Sequence, residues 1–161
     1  MSVREMSETE KLNIKSALLE HCRAYVQALL DEARRGIKES REAANQEEKS
    51  SAGDKFETHR AMMHLQMESF IQRYEVAERL EDQLLSLMVQ PVYRVGVGAL
   101  VETEERVYFI AVSAPPLTLE GASYTCLSIE APLYQAMRGL GAGDWIEWGG
   151  EDEEIEIIDV I

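Results

Sequence analysis

Lys49-Ser50-Ser51-Ala52-Gly53-Asp54-Lys55-Phe56-Glu57 interrupts two long helical patterns in this 161-residue chain. It is built of small, polar and turn-forming residues, and the sequence on either side reads as helix. From about residue 7 to 48 there is no proline and a single glycine, Gly36. Apolar residues recur there at Leu18, Cys22, Tyr25, Leu29, Ala33 and Ile37, steps of three and four that lay one stripe along a helix. The pattern resumes at Phe56, Met63, Met67, Phe70, Tyr74, Ala77, Leu84 and Leu87, and stops at Pro91. Two amphipathic helices joined by a short turn bury their stripes most economically against each other. The expected structure over 1–90 is an antiparallel α-helical coiled-coil hairpin with its tip near 49–57.

Helix length makes such a hairpin a probe, because forty residues at ~1.5 Å of rise each reach roughly 60 Å. Toward the turn the apolar stripe weakens. Residues 39–55 are almost wholly polar, with only Ala43, Ala44 and Ala52 to pack, so the tip is expected to be slender and exposed.

After Pro91 the apolar period changes from 3.6 to 2. Segments 99–102 and 106–112 read as strands joined across Thr103, Glu104 and Glu105, and 124–129 reads as a third. Residues 114–117, with two prolines, read as a loop. A short helix over 133–138 follows Pro132, a good first-turn residue, and ends at Gly139 and Gly141. Segments 145–148 and 155–160 alternate as the last strands, and Tyr108, Phe109, Trp145 and Trp148 are read as sheet residues. The expected fold class is α+β in two domains: the hairpin, then a small antiparallel β-sheet domain with one helix over 91–161.

Composition bounds the function. With 45% hydrophobic and 29% charged residues the chain has a soluble protein's balance, and no run approaches the ~18 apolar residues of a membrane span. The opening MSVREMSETE has no apolar segment behind a basic one, so no secretory signal is expected. Cys22 and Cys126 sit far apart in apolar patterns and read as buried thiols, with a disulfide or metal site as the alternative. A reducing, cytoplasmic location is the default expectation. A net charge of −14 argues against stable DNA binding, since Lys and Arg supply most affinity for phosphates. The charge is uneven: residues 92–161 hold 3 basic and 13 acidic groups, which suits a basic protein surface or simple solubility. His21, His59 and His64 have no metal-ligand spacing, and no phosphate loop or nucleophile motif is present. No catalytic centre or cofactor of the chain's own is expected.

Two motifs then carry a resemblance to the GreA/GreB family of bacterial transcription elongation factors, over nearly the whole chain. The family's hairpin tip runs approximately G-D-L-S-E-N-A-E-Y, and Gly53-Asp54-Lys55-Phe56-Glu57-Thr58-His59-Arg60-Ala61 stands in that place. Its C-terminal domain has a stretch like S-P-L-G-x-A-L-L-G-x-x-x-G-D. Here Ala131-Pro132-Leu133-Tyr134-Gln135-Ala136-Met137-Arg138-Gly139 leads through Leu140-Gly141-Ala142-Gly143-Asp144. The second motif is the more specific, since its spacing and its place near the chain end both agree.

The resemblance implies a coiled-coil hairpin followed by an FKBP-like domain. It also implies a factor that enters the secondary channel of RNA polymerase and promotes cleavage of backtracked RNA by the polymerase itself; the chain is expected to be a monomer. Asp54 and Glu57 would then stand beside the polymerase-bound Mg²⁺, flanked by Gly53, Lys55 and Phe56. Glu130, Pro132 and Leu133 would grip the channel rim. From spacing alone, Asp54 and Glu57 also form a helix N-cap and capping-box pair, and one pair can do both. Two alternatives remain: a channel-occupying regulator that does not stimulate cleavage, as in some relatives, and an FKBP-like chaperone or isomerase with a coiled-coil arm. The cationic and aromatic Lys55, Phe56 and Arg60 replace other residues at the family's tip and favour the first of these two.

Overall fold

The structure, a computed structural model, describes residues 2–48, 53–150 and 153–161. Two long helices come first, α1 (Glu8–Glu48) and α2 (Gly53–Leu85). Six strands and a short helix follow: β1 (Leu100–Thr103), β2 (Val107–Ala111), β3 (Ala114–Leu119), β4 (Ala122–Ser128), α3 (Pro132–Met137), β5 (Trp145–Glu147) and β6 (Glu154–Val160). Helical hairpin first and β domain second is the order expected from the change of apolar period. The chain packs as two units, Tyr25–Asp82, and Met1–Ala24 with Gln83–Ile161.

In the Tyr25–Asp82 unit the two helices run antiparallel. The Arg34 guanidinium meets the Tyr74 hydroxyl at 3.4 Å and its ring at 5.4 Å, while Gly36, two residues further along α1, lies under the Phe70 ring, four residues earlier on α2. On α1 the buried line is Val26, Leu30, Ala33, Gly36, Ser40 and Ala44. Tyr25, Leu29 and Ile37, read as the stripe, are half-buried at its margin. A strict 3.5-residue line drifts around a 3.6-residue helix, so adjacent positions share the seam over several turns. On α2 the expected positions hold: Met63, Met67, Phe70 and Tyr74 are half-buried and Ala77 is buried. The seam shrinks from Leu30 to Ser40 and Ala44, which lets the backbones approach as the sequence thins toward the turn.

α2 stops at Leu85, short of Pro91. The Leu87 N–H reaches back to the Leu84 carbonyl at 3.3 Å, and 87–92 then runs without regular structure.

The other unit is built on a sheet of order β3-β4-β2-β1-β6-β5. The sheet is mixed, which corrects the wholly antiparallel expectation: β2 and β4 pair in parallel, Val107 opposite Tyr124 through Ala111 opposite Ser128. The cause is the segment read as a loop. Residues 114–117 belong to β3, which leaves β2, passes one place outward and returns through a hairpin to set β4 between them. Pro115 and Pro116 misled the reading, yet β3 is an edge strand, where missing N–H donors are tolerated. Its ladder shifts register between Ala114 and Leu117, across both prolines. The β3–β4 turn is Glu120-Gly121, with φ of 50° and 84°, the positive pair that a two-residue hairpin requires.

Val101, Tyr108, Ile110, Tyr134, Met137 and Ile157 lie in the core of this unit, between the sheet and α3. Burial raises the Tyr108 and Tyr124 hydroxyls above the usual tyrosine range. The first turns of α1 also belong here. Leu18 and Cys22 are buried, Lys11 Nζ pairs with Asp159 of β6 at 2.6 Å, and Lys15 is wholly enclosed. Ahead of α1, a 3-10 turn over Val3–Glu5 is held by Glu102, whose carboxylate accepts from Ser2 Oγ, Val3 N–H and Arg4 N–H at 2.5, 3.2 and 2.8 Å.

Candidate functional site

The two groups singled out in the sequence fall in different packing units, the tip in Tyr25–Asp82 and the 130–133 turn in the other. Each has its own geometry.

α2 opens at Gly53, so Asp54 is its second residue and lies inside the first turn rather than ahead of it as an N-cap. Carboxylates in a first turn still meet the positive end of the helix dipole. Positions 54 and 57 are one helical step of three apart and share a face by backbone geometry. Glu57 is exposed; the side chains of Asp54, Lys55 and Phe56, and residues 49–52, lie outside the described residues. Beyond Glu57, Thr58 and His59 are exposed and Arg60 is half-buried. Two carboxylates are the hard-oxygen donors that magnesium takes, but fewer than its six ligands.

At the other group, Ser128 organises the chain entering α3. Its hydroxyl accepts from the Glu130 N–H at 3.1 Å and its carbonyl from the Ala131 N–H at 3.0 Å. Ala131 is the N-cap and provides no side-chain bond, while Pro132 occupies the first turn, where its missing N–H costs nothing. The Gln135 amide ties back to the Ile129 carbonyl at 2.6 Å. Glu130 and Pro132 are therefore exposed on a firmly held turn, and Leu133 is half-buried against the core. α3 ends at Arg138, followed by Gly139 with φ 81°, whose N–H donates to the Val95 carbonyl at 2.9 Å. The motif's last residue, Asp144, accepts the Gly141 N–H at 2.7 Å and lies 3.7 Å from Arg94. Thus the whole 131–144 stretch folds as one capped helix and turn.

Among the described residues no group of three or more His, Cys, Asp or Glu is placed to hold a metal, and no helix is long and apolar enough to cross a membrane. One cavity of about 440 Å³ lies within the sheet-bearing unit, between Met6, Ile14 and Ala17 and the β3–β4 hairpin residues Leu119, Ala122 and Tyr124. A second, of about 550 Å³, lies along Leu29, Ala33, Phe70 and Ala77 in the hairpin unit. Neither contains a residue of the two groups. Tyr108 and Phe109 of β2 and Trp145 of β5 are sheet residues as read, Trp145 being 56% exposed, while Trp148 follows the end of β5.

Sequence reading missed several working contacts. His21, read as a helix-surface residue, lies 2.7 Å through Nε2 from the Pro115 carbonyl. Lys15 and Glu102 gave no signal, because each meets its partner across more than seventy residues.

Solved structures similar to this chain include the following three. The prokaryotic transcription elongation factor GreA/GreB from Nitrosomonas europaea is 24% identical, with 52% of this chain and 78% of that one covered and a TM-score of 0.32. A structure of the transcription factor Gfh1 is 16% identical over 87% of this chain and 93% of that one, TM-score 0.36. GreA factor homolog 1 (Gfh1) of Thermus thermophilus is 15% identical over 86% and 94%, TM-score 0.32. No family model matches the chain, and no curated protein does.

Proposed function

We propose that this chain is an accessory factor of bacterial RNA polymerase of the Gre type, working in the cytoplasm, that presents the 53–57 end of its hairpin to the secondary channel and promotes cleavage of backtracked RNA. The observation that carries the reading is the 131–144 stretch: the motif with Gre spacing coincides with one structural unit, from Pro132 at the start of α3 to Asp144 on Gly141. The hairpin with its polar end supports it. In this reading Asp54 and Glu57 bring two oxygen ligands to Mg²⁺ held by the polymerase, where a second metal orients water for hydrolysis. Glu130, Pro132 and Leu133 make the contact at the rim, and the factor has no catalytic centre of its own.

The test is capture of core RNA polymerase followed by an RNA cleavage assay on backtracked complexes, with a GreA control. Binding with stimulated cleavage that Asp54→Ala/Glu57→Ala abolishes is the expected result. Binding without stimulation by the unaltered protein would instead identify a channel-occupying regulator, the reading that Lys55, Phe56 and Arg60 favour. No capture of polymerase would overturn the proposal.

A further inference from the structure

Cys22 and Cys126 are free and buried, at 0% and 4% exposure, and both belong to the unit containing the sheet. Contacts that do not involve the thiols bring them together. His21, the neighbour of Cys22 on α1, touches the carbonyl of Pro115, and Ala114 beside it is the register partner of Cys126 across β3 and β4. On its other side Cys126 is paired with the buried Phe109 of β2. The two thiols are near enough to perturb each other, and the Val112 backbone also acts on the Cys22 sulfur. Packing alone explains a single buried thiol, which behaves as a small apolar group. It does not call for two sulfurs, about a hundred residues apart in sequence, in mutual contact.

We propose that Cys22 and Cys126 form a redox site at which hydrogen peroxide closes an intramolecular disulfide between α1 and β4. Their mutual interaction raises the Cys22 thiol, with burial adding to the effect, and lowers that of Cys126. In this proposal Cys126 supplies the attacking thiolate. Its thiolate cleaves the O–O bond, giving a sulfenic acid at Cys126 and hydroxide, which takes up the proton lost from that thiol. The Cys22 sulfur then attacks the Cys126 sulfur. The S–O bond breaks, and the sulfenic hydroxyl leaves as water with the Cys22 proton. Two thiols and one peroxide become one disulfide and two waters. Burial selects the oxidant, because peroxide is small and neutral whereas a peptide disulfide such as oxidised glutathione is bulky and charged.

The test treats the full, folded chain with hydrogen peroxide and follows intact mass and non-reducing peptide maps. A 2 Da loss is expected, with the Cys22 and Cys126 peptides linked, at least about tenfold faster than in the urea-unfolded chain, where a long loop must close first. Oxidised glutathione at equal concentration should give at least about tenfold less of the link. In Cys22→Ser, whose hydroxyl keeps a donor beside Cys126, the Cys126 peptide should gain one oxygen in mass. Oxidation confined to methionines, links only between chains, equal rates in folded and unfolded protein, or equal reaction with glutathione disulfide would overturn the proposal. The folded-against-unfolded comparison uses unaltered protein, so it decides even where Cys22→Ser does not fold.

Discussion

Lys15 Nζ donates to the backbone carbonyl of Gln90 at 2.7 Å, and Lys15 is wholly buried with no carboxylate of the described residues within ion-pair distance. One turn of helix thus clamps the irregular segment that follows α2. Burial without a counter-charge pushes the ammonium down to about 8, from 10.5. Between those pH values the unfolded chain holds the proton and the folded chain does not. Unfolding there takes up a proton, so this group's contribution to stability grows from pH 8 to 10.5 and is lowest below pH 8. Tyr108 and Tyr124, raised by burial, act oppositely above pH 10, so the comparison has to be with Lys15→Met. Urea unfolding across pH 7–10 should show that the stability of the unaltered protein relative to Lys15→Met rises with pH. A flat difference would refute the buried ammonium.

Glu102 holds the chain's first turn. Its buried carboxylate accepts from one hydroxyl and two backbone N–H groups, and each loses its partner in Glu102→Ala. Freed to open, the turn meets water, so the loss is expected at roughly 1–3 kcal/mol rather than the sum of three bonds. Glu102→Gln keeps an acceptor oxygen and should lose less. Amide hydrogen exchange at Val3 and Arg4 is the direct measurement. It should accelerate in Glu102→Ala while exchange at Val101 and Phe109, in the sheet core, changes far less.

Gly36 lies where α1 packs under the Phe70 ring of α2. Alanine is the better helix former by about 1 kcal/mol, which alone would make Gly36→Ala stabilising. The added methyl would instead overlap the Phe70 ring, whose Cγ is among the nearest atoms and cannot swing clear as a chain end can. Overpacking costs typically about 1–3 kcal/mol, so the net effect should be destabilising. In a double-mutant cycle, Phe70→Leu should recover much of the loss by making room; Gly36→Ala raising the midpoint on its own would contradict this packing.

What the sequence showed and what it hid divide by range. The steps of three and four from Met63 to Ala77 and the Pro132 and Gly139 punctuation of α3 are local signals, and the structure contains both elements. The parallel pairing of β2 with β4 was hidden, because two prolines read as a loop when nothing in the sequence says the strand lies at an edge. Lys15 was hidden for a related reason. It continues the line of Leu18 and Cys22 one turn earlier, but a lysine there reads as a surface residue until Gln90 supplies its acceptor. At the tip, the acidic pair could be found by its spacing, whereas the Ser128 and Gln135 bonds that fix the 130–133 turn depend on side-chain geometry that spacing does not encode.

The start of α1 offers a prediction in which one local motif can be separated from the fold around it. Ser7 and Glu10 form a reciprocal capping box: the Glu10 carboxylate accepts the Ser7 N–H at 2.8 Å and its hydroxyl at 2.7 Å, and the Glu10 N–H donates to Ser7 Oγ at 3.3 Å. These bonds hold the Glu10 carboxyl below its usual range. The contribution is therefore present above the ordinary glutamate pKa and is lost as pH falls through the lowered one. Ser7→Ala should lower the thermal midpoint at pH 7 and flatten the Glu10 contribution on the acid side. Glu10→Gln should keep part of the neutral-pH stability, since an amide oxygen still accepts, while abolishing that acid dependence. Direct titration of Glu10 by NMR tests the cause: its pKa should rise toward 4.5 in Ser7→Ala, and an unchanged value would show that the Ser7 hydroxyl does not lower it.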